Sequence, residues 1–283
     1  MKTLGQDGID MEQTKLSNIN LEELLVSNKK IVTFLGSNES GTSFLINNIA
    51  EHLSSKGVNV AILDTSKNKS SYYIYTKNED SLRRIAISSI ENLSNGIDNG
   101  IKVHDCLTVY TAIPGENKYI QNVQSILETL LKNHTLILID CDFETPVEYL
   151  EYAHEIYLVQ TMNILQIQPL TEALARFEEK GTLDVGKLRI IINKFMNIPG
   201  ITENEIIGSM AFYNEPSMSY MKQLFNKDII KYMTIPFEEE NYKKYLQQVM
   251  NCNINLREYS GIFLQLLDDL ADNVYSTKNR NLN

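Results

Sequence analysis

Short runs of apolar and β-branched residues alternate along this chain with longer stretches in which apolar positions recur at helical spacing. The runs are Ile31 to Leu35, Val58 to Leu63, Leu107 to Thr111, Thr135 to Ile139, Glu155 to Gln160, Leu188 to Ile192 and Ile229 to Ile235. Several are apolar throughout, as strands buried on both faces must be. A helix is predicted from Ser43 to about Ser55, where Phe44, Leu45, Ile49 and Leu53 mark one face and Gly57 supplies a C-cap. Another starts near Pro169 and stops at Gly181, and others fall around Pro216 to Asn226, Glu239 to Met250 and Tyr259 to Val274. Strands alternating with helices predict an α/β fold, a mostly parallel, doubly wound sheet flanked by helices on both faces.

Polar ends frame this pattern. Residues 1–28 read as a flexible N-terminal extension with one short candidate helix, Leu21 to Leu25, and residues 276–283 read as a flexible tail. Residues 29–275 are expected to form a single domain, a size that open α/β sheets commonly reach. The net charge of −10 and pI near 5.0 argue against a surface built to neutralise nucleic-acid phosphates. Cys106, Cys141 and Cys252 are widely spaced, form no C-x-x-C pair and imply a reducing, cytoplasmic compartment. No run approaches the roughly 20 apolar residues that span a bilayer, and the first residues show no signal-peptide core.

The candidate chemistry lies between the first strand and the first helix. Gly36-Ser37-Asn38-Glu39-Ser40-Gly41-Thr42-Ser43 fills every fixed position of the phosphate-binding signature (Gly, four residues, Gly, Lys, Ser or Thr) except the lysine, which is Thr42. Successive backbone N–H groups and the positive end of the helix can cradle a phosphate without that side chain. Ser43 retains the hydroxyl that ligates Mg²⁺, whereas Thr42 offers no ammonium for the β- and γ-oxygens. A glycine turn joining strand to helix is the plain structural alternative. The run Leu136-Ile-Leu-Ile-Asp140 weighs against it, because a buried strand ending in aspartate is what a Mg²⁺ site uses. Asp64 likewise ends the second strand, at the sheet edge where open α/β sheets bind ligands.

From Lys30 to Val274 these residues resemble the ParA/MinD-type deviant P-loop ATPases, and within them the TadZ/CpaE-like branch, in which the ordinary loop lysine is often lacking. The resemblance rests on Phe34 to Ser43, Val60-Ala-Ile-Leu-Asp64, Leu136 to Asp140, Ile156 to Gln160, Ile190-Ile-Ile-Asn193-Lys194 and Thr234-Ile-Pro236-Phe237. It implies a P-loop NTPase-like three-layer sandwich that takes ATP and Mg²⁺. Gly36 to Ser43 would lie on the phosphates, Ser43, Asp64 and Asp140 at the metal, and Asn193 and Pro236 at the base. It also implies a homodimer working with protein partners of a localisation, secretion or pilus-assembly machinery, cytoplasmic and recruited to a membrane-associated assembly. The chain departs from the pattern at the family's signature lysine, which is Ser37, and at its second post-strand aspartate, which is Ser66; Asn38 and Glu39 replace two loop glycines.

Three readings therefore stay open: a localisation factor with a degenerate ATP site and weak or no hydrolysis, a scaffold that binds no nucleotide, and a working ATPase completed by a lysine from elsewhere. Lys67 and Lys69 are candidates for such a lysine, although loop lysines are usually solvated. Asn193 can equally make a strand-end hydrogen bond. Asp140, Asp142 and Glu144 alternate and would share a face only if the strand continues through them. His52, His104, His134 and His154 show no metal-ligand spacing. The tyrosines from Tyr72 to Tyr75 and the stretch from Met210 to Met221 read as core or as contact surface. In the last helix Ile262, Leu264, Leu267 and Leu270 are expected on one side.

Overall fold

The computed structural model describes residues 28–115, 122–181, 184–201, 203–207 and 230–277. The expected extension before residue 28, most of the tail, the helix near Pro216 and the Met210 to Met221 stretch lie outside them. In chain order the principal elements are β1 (Lys30–Gly36), α1 (Thr42–Ser55), β2 (Val60–Asp64), α2 (Ser70–Tyr75), α3 (Asp80–Ser94), β3 (Ile101–His104), β4 (Leu107–Tyr110), α4 (Val123–Asn133) and β5 (Leu136–Cys141). They continue with α5 (Glu148–Glu151), β6 (Glu155–Gln160), α6 (Ile167–Glu179), β7 (Leu188–Phe195), α7 (Glu203–Ile207), β8 (Lys231–Pro236), α8 (Glu239–Met250) and α9 (Gly261–Val274).

The strands form one sheet in the order β3-β4-β2-β5-β1-β6-β7-β8. Every neighbouring pair is parallel except β3 with β4, which is antiparallel. Side chains alternate between two apolar layers as the pleat requires. In β5, Ile137 and Ile139 enter the layer with α4 and α6, while Leu136 and Leu138 enter the layer with α1 and α9. Asp140 therefore continues the α1 face. On β2, Val60 and Ile62 pack on that same face, and Asp64 follows them by the same period.

The sequence reading missed β3 and the helices α2, α3, α4, α5 and α7. β3 is a short edge strand whose Ile-Lys-Val-His pattern pairs in reverse with β4 across a register shift. Helix α4 was missed although Val123, Ile126, Leu127, Leu130 and Leu131, all buried on it, carry plain helical spacing. The predicted apolar side of the last helix needs correction. Ile262 is 66% exposed, and the buried face is Phe263, Leu267, Leu270, Ala271 and Val274. Ser260 sets that register by capping the helix, its Oγ accepting from the Phe263 N–H. The alternating trio also fails as a continuous strand: β5 ends at Cys141, and Asp142 turns to accept from the Glu144 N–H. The tyrosine cluster divides, with Tyr75 buried and donating to Asn47 while Tyr73 stands exposed. Among the described residues no helix is long and apolar enough to cross a membrane.

Leu138 is fully buried between β1 and β2, so Leu138→Ala should cost about 2–5 kcal/mol. Met250→Ala, at an 83% exposed position, should change stability by less than about 0.5 kcal/mol. Urea unfolding followed by circular dichroism checks both.

Candidate functional site

The loop between β1 and α1 holds its shape through backbone geometry that the sequence specifies. Gly41 has φ +92°, which favours glycine. A Cβ on Gly36 would meet Ser40 Oγ at 2.3 Å, so the strand can turn there only without a side chain. Within the loop Ser40 N–H donates to the Ser37 carbonyl. The amides of Thr42, Ser43 and Phe44 belong to the first turn of α1, where an α-helix provides no acceptor. Glu39, also left-handed, is exposed and lines the cavity over the loop without closing it.

Distant residues brace this loop. Asn193, at the end of β7, donates from Nδ2 to the Ser40 carbonyl at 2.8 Å, and Lys194 Nζ donates to the Glu39 carbonyl at 2.8 Å. Asn193 is thus placed primarily as a brace, with its side chain also lining the cavity. Asn68, after β2, donates to the Asn38 side chain.

A cavity of about 390 Å³ opens over the loop, within the usual range of small-molecule sites. The loop from Gly36 to Glu39 and from Gly41 to Ser43 forms its floor. Phe44, Phe237, Tyr242, Tyr245 and Phe263 form an aromatic wall beside Pro236. Phe44 anchors the wall, with Tyr245 edge-on at 4.8 Å and Phe263 at 5.3 Å. These residues come from α1, the β8–α8 connection, α8 and α9, and sequence reading did not place them at the site; only Pro236 was anticipated. No local signal marks the rest, because a stacking wall assembled from separate helices has no spacing of its own. Lys194 lines the cavity and lies 5.7 Å from the Tyr242 ring, while Glu39, Asp142 and Glu238 line it as carboxylates.

The expected metal residues divide. Ser43 lines the cavity and donates to Asp140 Oδ2 at 2.5 Å. Asp140 is 1% exposed, and its Oδ1 has no hydrogen-bond partner among the described residues. Asp64 does not reach the cavity. It is fully buried, with Oδ1 accepting from the Ser66 N–H and hydroxyl and Oδ2 from the Ser71 N–H. The donor set therefore fits a divalent ion only through Ser43 and Asp140. Among the described residues no group of three or more His, Cys, Asp or Glu side chains is arranged to hold a metal.

The candidate lysines also separate. Lys67 is solvated and pairs with Glu144 at 3.1 Å, whereas Lys69 is fully buried, with Nζ donating to the Ser66 carbonyl. Burial is the main cause that lowers the Lys69 pKa, and Asp64, Asp142 and Asp140 oppose it in that order. Burial likewise raises Asp64. Asp140 is pushed up to about 8, first by burial and then by the charge of Asp64, with the Ser43 hydroxyl partly offsetting both.

A carboxylate raised on folding stabilises the folded state fully below its unfolded value near 4, and that contribution fades as pH rises toward 8. Asp140→Asn should therefore make the ligand-free chain more stable than the parent by about 1–3 kcal/mol at pH 8 and change it little at pH 4. Urea unfolding of both chains at the two pH values measures the difference.

No protein-family model matches the chain. No curated protein matches it either. Solved structures do. A putative plasmid partition protein from Borrelia burgdorferi bound to AMPPNP is 16% identical with a TM-score of 0.58, covering 88% of this chain and 99% of that one. MinD in the Aquifex aeolicus MinC:MinD cell division complex is 16% identical with a TM-score of 0.57, covering 86% and 95%. An aspartate-to-alanine variant of Cyanothece McdA in complex with ATP is 14% identical with a TM-score of 0.59, covering 87% and 96%. At such identities the likeness speaks for architecture. The eight-stranded, mostly parallel sheet and its flanking helices have the fold of the ParA/MinD-type P-loop ATPases.

Proposed function

We propose that this chain is a ParA/MinD-like localisation or assembly factor, of the TadZ/CpaE-like kind, whose loop holds a nucleotide and turns it over slowly or not at all. The observation that carries this reading is the open cavity that joins the glycine-shaped loop to an aromatic wall. One or more phosphates rest on the amides from Ser37 to Ser43, where the N-terminus of α1 favours negative charge. The base stacks on the aromatic wall beside Pro236, with Asn193 at its edge. Ser43, with Asp140 behind it, would hold a Mg²⁺ ion carried in with the nucleotide, and such an ion would draw charge from the β- and γ-oxygens.

Slow turnover follows from what these residues lack. Neither Ser37 nor Thr42 brings an ammonium to the phosphates, and Ser66 spends its hydroxyl on Asp64 rather than orienting a water. A nucleotide that persists on the protein suits a positional state better than a catalytic cycle. The relatives with this fold include a MinC:MinD complex, which supports protein partners, and the family resemblance supports a homodimer meeting at the nucleotide edge. Recruitment from the cytoplasm to a membrane-associated pilus or secretion assembly is the cellular form of this proposal. The nucleotide-free scaffold is the competing reading, and the cavity over the loop, which Glu39 lines but does not close, speaks against it.

Calorimetric titration with ATP and ADP should show saturable binding, while a phosphate-release assay stays at the level of a protein-free blank. Absence of heat at millimolar nucleotide would leave only the scaffold, and turnover abolished by Asp140→Ala would restore the enzyme. Tyr242→Ala should weaken binding by about 1–3 kcal/mol, the range for loss of one stacking ring. Because Tyr242 is 44% exposed, unfolding should shift by less than about 0.5 kcal/mol. Gly36→Val should lose binding by more than tenfold, since its side chain meets Ser40 Oγ and the Val159 carbonyl.

A further inference from the structure

The parallel register of β2 and β5 sets Asp64 directly beside Asp140, and both lie on the face covered by α1 with almost no exposure. Asp142 follows at the rim of the cavity, accepting from the Lys67 N–H at 2.6 Å. Buried carboxylates this close repel one another in a medium that screens poorly, so the ionised cluster needs a cation. A divalent ion is the ordinary solution at such strand ends. This chain instead buries Lys69 against the same residue that holds Asp64, its Nζ donating to the carbonyl of Ser66, whose N–H and hydroxyl bind Asp64 Oδ1. The Lys69 backbone takes the left-handed conformation at φ +45°, which is unfavourable for a non-glycine residue. Its side chain is fully buried, whereas Ser66, Asn68 and Ser70 on either side of it line the cavity. Lys67, two residues earlier, shows what a lysine of this loop does when nothing draws it in, pairing with Glu144 in solvent.

A second observation points to the same place. Asp140 Oδ1 is buried and without a hydrogen-bond partner among the described residues, so a charge inside the fold compensates it without a direct hydrogen bond, and the oxygen is left as a ligand position that a metal could take once that charge is removed. The other carboxylate of the pair already has its oxygens filled by Ser66 and Ser71.

We propose that Lys69 is the resident cation of the Asp64–Asp140–Asp142 cluster, supplying from within the chain the positive charge that a bound divalent ion would otherwise supply. The charge absent from the phosphate loop at Ser37 and Thr42 reappears behind the cavity wall, fixed in the fold rather than recruited from solution. The ligand-free protein then has little affinity for divalent metal. This inference needs no nucleotide and stands apart from whether one binds.

The test is a titration of the full ligand-free chain with Mn²⁺ alone, followed by electron paramagnetic resonance of the free ion. Wild type and Lys69→Arg, which keeps the charge, should leave Mn²⁺ free up to about 1 mM, the weak end of carboxylate sites. Lys69→Met should gain one site at least about tenfold tighter than any weak wild-type binding and lose it again in Lys69→Met/Asp140→Asn. Wild type binding Mn²⁺ as tightly as Lys69→Met would overturn the proposal, as would a folded Lys69→Met chain that gains no site. Circular dichroism guards against a folding failure. A Lys69→Met chain that is unfolded in EDTA and folds with excess Mn²⁺ supports the proposal, and one that stays unfolded in both contradicts it.

Discussion

Everything at the ligand-binding edge depends on the register of β5 between β1 and β2. That pairing places Phe34 and Asp64 on either side of Asp140 and aims the two carboxylates at the face that α1 covers. A slip of β5 by one residue would turn Asp140 to the opposite layer, away from Asp64, and set Ile139 in its place. The hydrogen bond from Ser43 to Asp140 then ties the start of α1, and so the loop before it, to the centre of the sheet. Asn193 and Lys194 fasten the same loop to β7, so the cradle is held from both sides by strands rather than by its own few bonds.

Buried charge is the recurring cost of this arrangement. Asp64, Asp140 and Lys69 sit in a region where hydrophobic residues of similar size would be more stable. Such expense is characteristic of sites that meet ligands, and it falls here at the edge where α/β folds bind them. The cavity itself is divided: an aromatic side able to take a planar ring, and a loop side where fixed dipoles would do most of the work of holding an anion. A conventional phosphate loop adds a mobile ammonium to those dipoles, and in this chain no loop residue does so.

Much of the fold was legible because strands buried on both faces must be apolar throughout. That constraint exposes β1, β5, β6 and β7 directly, and the glycines at 36 and 41 mark the turn to α1. β3 stayed hidden because an edge strand with Lys102 and His104 pointing outward carries no such run. α3 and α4 had adequate periodicity and were simply missed. At the site, the loop and Asp140 could be read from spacing, since each is a local motif. The aromatic wall could not, because Phe44 and Tyr245, which meet there, lie about two hundred residues apart in the chain. Nor could the burial of Lys69, which accompanies a left-handed turn at a residue whose type gives no warning of it.

The central claim is that loop amides, unaided by a loop lysine, hold the phosphates of a nucleotide stacked on the aromatic wall. Its most direct test is amide chemical-shift mapping by NMR on titration with ADP. The account predicts that the largest shifts fall on the amides from Asn38 to Ser43, together with changes at Tyr242 and Tyr245. Shifts confined to other surfaces, or no shifts at saturating ADP, would contradict it.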